Sequence, residues 1–294
     1  MFRLLVSYLY TLITFIAAII TLILYQKNLF GGLSEDGKLG VWFIGLFAFI
    51  FLFENMRQKI TLGRGARYGE ALTLLNKGFE NIHEVIRKQN ITSDFIVASL
   101  ENLCTQLAQA FTKISAARCS VCIKVLSEGK GENKGKLKVE TICRDLHSKS
   151  DRSIVDKNHE NLVEKNTDFL KILKKIDKPI GKYFLSNQLP FLFDYQNSSL
   201  ELYEDYADEK TFFPFKVFFR YWRWPLPYKS TIVVPICPGI STERSKETLL
   251  GFLCVDSPRL FAFKREFDVD IMNGVADGLY NGILKLKEKT KHLN

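Results

Sequence analysis

The chain has 294 residues, of which 47% are hydrophobic and 25% are charged, and its formal net charge is +9. This composition excludes a disordered chain and a collagen, and six cysteines are too few for a disulfide scaffold of this length. The length accommodates one or two domains. The basic excess favours anionic lipids or small anionic ligands as partners, and it is too diffuse to indicate a nucleic-acid polymer.

The first 59 residues contain two apolar runs that are typical of membrane spans. Residues 4–25 and 39–53 carry no charge, and a glycine-containing turn joins them. A helix of 22 residues, the length of the first run, crosses the ~30 Å hydrocarbon core. We predict a transmembrane helical hairpin over residues 1–59, with membrane lipid as its partner. The alternative is a cleaved signal peptide, but the apolar part of such a peptide is only ~7–15 residues long.

Basic residues determine the expected orientation of this hairpin. Arg57, Lys59, Arg64 and Arg67 follow the second run directly, whereas the turn between the runs has only two lysines. The positive-inside rule therefore places both termini in the cytoplasm, at an inner or plasma membrane. In that reducing compartment we expect the six cysteines to be free thiols.

Residues 60–91 are predicted to form a helical connector. Apolar positions recur there at alternating steps of four and three, as in a coiled-coil seam: Tyr68, Leu72, Leu75, Phe79, Ile82 and Ile86. This stripe fits two structures equally well, an amphipathic helix that packs on its own domain and a parallel homodimer seam. Thr92 is a predicted N-cap of a second helix, and we favour packing of that helix on the domain.

Residues 92–294 are predicted to form an α+β domain, an antiparallel β-sheet covered by helices. Four runs have the composition of strands: 119–125, 137–143, 231–237 and 249–256. A polar loop joins the first run to the second, and another joins the third run to the fourth. A charged stretch over residues 148–178 is expected to be helix and loop. Residues 267–285 are expected to form a closing amphipathic helix.

The third and fourth predicted strands have a recognisable pattern. Residues 230–236 form an apolar strand with Pro235 near its end, and residues 250–256 form a strand with Gly251 near its start. Together with the closing helix they resemble the GAF family of small-molecule sensor domains, over about residues 92–287. The resemblance implies a ligand between the sheet and its covering helices. Family ligands are diverse, so the cofactor is unknown.

An aromatic and basic segment over residues 212–228 is the candidate ligand site. It contains nine aromatic residues with Lys216 and two arginines among them. The candidate ligand-binding residues are Arg220, Tyr221, Trp222, Arg223 and Trp224. Arginine and an aromatic face can together bind a planar anion. A lid packed into the core and contact with lipid headgroups are the two alternatives.

No metal site or catalytic constellation is predicted, and we expect the chain not to be an enzyme. Cys119 and Cys122 lie three residues apart on a predicted strand and so face opposite sides. The sequence therefore predicts a membrane-anchored cytoplasmic sensor. The predicted sensor would bind a small ligand, nucleotide-like or other, through the GAF-like domain. It would then signal through the connector either to the hairpin, as a ligand-gated membrane effector, or to a partner protein. The alternative is a ligand-free GAF-like dimerisation scaffold tethered to the membrane.

Overall fold

The computed structural model describes residues 63, 65–88, 90–129, 131–150, 161–176, 183–202, 221–238 and 245–291. The chain divides into two compact units, Met1–Arg67 and Tyr68–Asn294, and nearly all described residues belong to the second. The predicted hairpin lies outside the described residues. Among those that are described, no helix combines the length and the apolar character that a membrane span needs.

The described part of the second unit contains one antiparallel sheet of six strands, in the order β3-β2-β1-β6-β5-β4. The strands are β1 Ser120–Glu128, β2 Leu137–Arg144, β3 Asn161–Leu162, β4 Phe184–Ser186, β5 Ser230–Ile236 and β6 Gly251–Ser257. The helices are α1 over residues 65–87, α2 Ser93–Ser115, α3 Thr167–Leu173 and α4 Arg265–Lys291. The predicted α+β class with an antiparallel sheet is confirmed.

The first face of the sheet is covered by α1, α2 and α4, which share one hydrophobic cluster with it. The hydroxyl of Thr92 accepts a hydrogen bond from the Phe95 backbone N–H, so the predicted N-cap begins α2. This helix buries Leu100, Leu107 and Phe111 completely. The preference for packing α2 on its own domain is therefore confirmed.

Helix α1 also packs within its own chain. Leu75 and Ile82, the centre of the predicted seam, are buried in the first cluster, while Leu72 remains 56% exposed. The Tyr68 hydroxyl donates to Asp268 at 2.6 Å near the start of α4. Near the other end of α4, the Lys285 ammonium donates to the carbonyl oxygens of residues 85, 86 and 88. The central positions of the predicted seam, Leu75 and Ile82, are thus occupied inside the chain, and homodimerisation stays a prediction.

A second hydrophobic layer covers the other face of the sheet. It is formed by α3 and by residues from the irregular segments around β4 and before β5. Its fully buried members include Ile172, Leu189 and Phe252. Strands β3 and β4 were not predicted, because two and three residues are too short to show an alternating pattern.

Candidate functional site

Polar and charged side chains lie on the second face of the sheet, beneath this second layer. Strand β1 contributes Cys122 and Lys124, and β6 contributes Cys254 and Asp256, which lie on the same face through strand alternation and register. Strand β2 brings Arg144, which pairs directly with Cys122. We call these five residues, with Thr141 and Asp168 described below, the second-face cluster.

A β-bulge brings the arginine to this face. The pairing of β1 with β2 shifts by one residue between Ile123 and Lys124, so that Ile142 has no partner in the ladder. Simple alternation from Val139 would have placed Cys143 on the second face. The bulge instead places Cys143 in the first hydrophobic cluster and Arg144 opposite Cys122.

The two cations of the cluster are held by neighbouring strands. The Lys124 ammonium is partly buried and donates to the Thr141 hydroxyl at 3.0 Å, across the β1–β2 pair. Arg144 is only 6% exposed. On the other side of β1, the buried Thr231 hydroxyl donates to a carboxylate oxygen of Asp256 at 2.8 Å. The cluster therefore combines cationic, anionic and thiol groups within a few strand positions.

Asp168 approaches the cluster from α3. Its carboxyl group is buried, and this desolvation raises its pKa to about 7. The Phe169 backbone N–H donates to one of its oxygens at 2.9 Å, which opposes the increase. The negative charge of Asp256 raises the pKa further and the positive charge of Lys124 lowers it. Near neutral pH this carboxyl group is therefore only partly ionised.

Several aromatic rings lie in the same layer as the two cysteines of the cluster. The rings of Phe169 and Phe252 lie 4.8 Å apart. Burial raises the pKa of the Tyr195 hydroxyl, and the nearby Asp168 charge acts in the same direction. Such a layer excludes water, and charges in it act more strongly than they would at the surface.

Four of the five site residues that the aromatic segment predicted are described, and the structure places them in different surroundings. Trp224 is buried in the second layer, where its indole N–H donates to the Tyr228 carbonyl oxygen at 2.6 Å. Tyr221 is half-buried and stacks on Phe191 at 6.0 Å. Trp222 is 71% exposed.

Arg223 is also exposed, and Arg220 lies outside the described residues. Trp224 therefore fits the core-lid alternative, while Trp222 and Arg223 lie at the surface. A ligand role for the five predicted residues stays a prediction. Sequence reasoning missed Lys124, Arg144 and Asp168. Lys124 had one usable signal, a cation inside the predicted strand 119–125, whereas Arg144 lies one residue beyond the predicted strand 137–143.

The cysteines are arranged as the strand pattern predicted. Cys119 lies in the first hydrophobic cluster and Cys122 in the second, so they are on opposite sides of the sheet. All six cysteines are free thiols and all are buried.

Comparisons with known proteins give only distant likenesses. No family model and no curated protein matches the chain. A solved GAF domain is 12% identical, with a TM-score of 0.43 over 72% of this chain and 88% of its own. A GAF sensor protein from Burkholderia vietnamiensis is 12% identical, with a TM-score of 0.40 over 74% and 92%. A type II free methionine-R-sulfoxide reductase from Thermoplasma acidophilum is 15% identical, with a TM-score of 0.39 over 66% and 96%.

These findings bear on two expectations. The resemblance to GAF domains recurs among the solved structures, as a weak likeness that says nothing about ligand or activity. The expectation that the chain is not an enzyme is wrong as an exclusion, because a reductase is among the similar structures. Enzymatic status is therefore open.

Proposed function

We propose that this chain is a sensor whose second-face cluster binds a small anionic molecule. The observation that carries the proposal is the placement of Lys124 and Arg144 on the same face, beneath an otherwise largely apolar layer. Cations in such a layer interact strongly with an anion that displaces water from them.

The neighbouring groups would extend this recognition. In its neutral form the Asp168 carboxyl can donate a hydrogen bond, and its pKa of about 7 makes that form available at neutral pH. The Phe252 and Trp224 rings offer apolar surface to a planar ligand. A planar anion with a hydrogen-bond acceptor, such as a nucleotide-like molecule, has the matching chemistry.

The proposed output depends on the N-terminal segment. Helix α1 follows the predicted hairpin directly in sequence and is tied to α4 by Tyr68 and Lys285. In this proposal the hairpin anchors the protein in an inner or plasma membrane with both termini cytoplasmic. Ligand binding is passed through α1, either to the hairpin as a membrane effector or to a partner protein.

One observation favours the alternative of a ligand-free scaffold. The second layer contains completely buried apolar side chains from several segments, among them Ile172, Ile176 and Leu189. A layer that these residues fill would stabilise the fold without a ligand.

Dimerisation is a separate part of both proposals. Leu72→Asp changes an exposed position of the α1 stripe, whereas Leu75→Asp places a charge in the first hydrophobic cluster. We expect Leu72→Asp to dissociate a dimer while the melting temperature is retained, and Leu75→Asp to unfold the chain. Light scattering of the full chain tests this prediction. If the unmutated chain is a monomer at tens of micromolar, the homodimer proposal is refuted.

Native mass spectrometry of the purified full chain tests the binding proposal. We expect a co-purifying small anion that Lys124→Gln and Arg144→Gln release, because each lost charge-assisted contact weakens binding roughly 10- to 150-fold. Lys113→Gln is the matched control, since Lys113 is an exposed lysine on α2 that pairs with Glu70. A bound anion that all three variants retain would refute the second-face cluster as its site, and a chain free of small molecules would favour the scaffold.

A further inference from the structure

Two of the six cysteines are direct cross-strand neighbours on the second face of the sheet. Cys122 of β1 pairs with Cys254 of β6 in the antiparallel ladder, and both side chains are buried in the second layer. The two thiols interact closely enough to shift the pKa values of both. Directly opposite residues in such a ladder have Cβ atoms about 4.5–5.5 Å apart, and a disulfide requires about 3.5–4.5 Å. A small approach of the two strands is therefore enough for a bond between the sulfur atoms.

We infer that Cys122 and Cys254 form a dithiol site that hydroperoxides oxidise to a disulfide. The geometry assigns different roles to the two thiols. Arg144 lies directly opposite Cys122 on β2, and Lys124 follows Cys122 by two positions on the same face. Both cations favour the thiolate of Cys122, which makes it the nucleophile. Cys254 then resolves the first oxidation product.

The electrostatics of the pair support this assignment. Interaction with the Cys254 thiol lowers the pKa of Cys122, burial opposes this, and the charges of Arg144 and Lys124 add to the lowering. The same interaction, followed by burial, raises the pKa of Cys254. Both shifts favour ionisation of Cys122 before Cys254. Thiolate character and access together determine cysteine reactivity towards peroxides. Because both side chains are buried, the inference applies to a peroxide small enough to reach Cys122 beneath the second layer.

The reaction is balanced with a hydroperoxide as the oxidant. The Cys122 thiolate attacks the terminal oxygen of the peroxide, so that an S–O bond forms, the O–O bond breaks and an alcohol or water leaves after protonation. The sulfur atom of Cys254 attacks the resulting sulfenic acid and loses its proton, an S–S bond forms, and hydroxide leaves as water. Two thiols supply two electrons, and the products are a disulfide, an alcohol and water.

A second cysteine pair in the same chain provides an internal comparison. The sulfur atoms of Cys104 and Cys143 lie 3.7 Å apart in the first hydrophobic cluster. The hydrogen bond with Cys143 and then burial raise the pKa of Cys104. If proximity alone governed oxidation, both pairs would close. If the cations govern it, only the second-face pair closes.

Peptide mapping of the oxidised full chain tests the site. The protein is treated with hydrogen peroxide, and in parallel with the thiol oxidant diamide, then unfolded and alkylated before mass spectrometry. We expect a peptide pair that joins Cys122 to Cys254 and has lost two hydrogen atoms, with the other four cysteines alkylated. Cys104→Ser should give the same product, and Cys254→Ser should leave a sulfenic acid at Cys122 that dimedone labels.

A charge variant distinguishes two explanations of disulfide formation: activation of Cys122 by the neighbouring cations, and proximity of the two thiols alone. At about pH 5.5 we expect Lys124→Gln to slow disulfide formation by roughly threefold, because the thiolate fraction of Cys122 falls. Lys124→Arg keeps the charge and should restore the rate.

Three results would overturn the inference: six alkylated cysteines after both oxidants, a Cys104–Cys143 product instead, or equal rates in the charge variants. The inference needs no bound ligand, so it can fail while the anion-binding proposal stands, and the reverse also holds.

Discussion

The buried carboxyl group of Asp168 should make the stability of the protein depend on pH in a predictable direction. Its pKa is about 7 in the folded chain, against an ordinary value near 3.9 in an unfolded one. Between these values the folded state binds more protons than the unfolded state. This contribution to stability is therefore fully present below about pH 4, declines as the pH rises, and is lost above about pH 7.

The substitution Asp168→Asn removes this titration and keeps an oxygen that can accept from the Phe169 backbone N–H. A difference of about three pKa units corresponds to at most about 4 kcal/mol. We expect the variant and the unmutated chain to melt at similar temperatures near pH 4, and the variant to melt up to ~10 °C higher at pH 8.

Thermal unfolding of the full chain, followed by tryptophan fluorescence from pH 4 to pH 8, measures this difference. Asp277→Asn, which changes an exposed carboxylate on α4, is the matched control and should follow the unmutated chain at every pH. A gap between the Asp168→Asn and unmutated melting temperatures that does not widen with pH would refute the buried, raised-pKa carboxyl group.

Three further changes test packing and topology. Gly251→Ala places a Cβ atom 2.0 Å from the Lys124 carbonyl oxygen in the β1–β6 pair, so the free energy of unfolding should fall by about 3 kcal/mol or more. Gly274→Ala has open space on α4 and should raise the free energy of unfolding by up to ~1 kcal/mol. Chemical denaturation measures both changes. Trp224→Ala should cost ~3–5 kcal/mol in the same assay, and the exposed Trp222 should change stability by less than ~0.5 kcal/mol when replaced by alanine. A C-terminal reporter fusion should be cytoplasmic and one inserted at residue 32 external; a periplasmic C-terminus would contradict the predicted orientation.

The fold was largely predictable because its long elements carry strong local patterns. Strands β1, β2, β5 and β6 and helix α4 begin within two residues of their predicted starts. The partner of α1 was not predictable, because an apolar stripe has the same period whether it packs on its own chain or on a second copy.

The candidate site was much less predictable. The density of aromatic residues directed attention to residues 220–224, of which Trp224 is buried in the second layer. Arg144 reaches the second face only because of the bulge at Ile142, which reverses the facing that simple alternation predicts. Asp168 is an ordinary acidic residue in sequence, and its burial depends on how α3 packs on the sheet.

A crystal structure of the full chain purified from its native host would test the central claim most directly. We predict a small anion beneath the second layer. A negatively charged oxygen atom of this anion should lie within about 3 Å of both the Lys124 ammonium and the Arg144 guanidinium. A second layer packed against these two cations by protein side chains alone, with no bound molecule, would contradict the account.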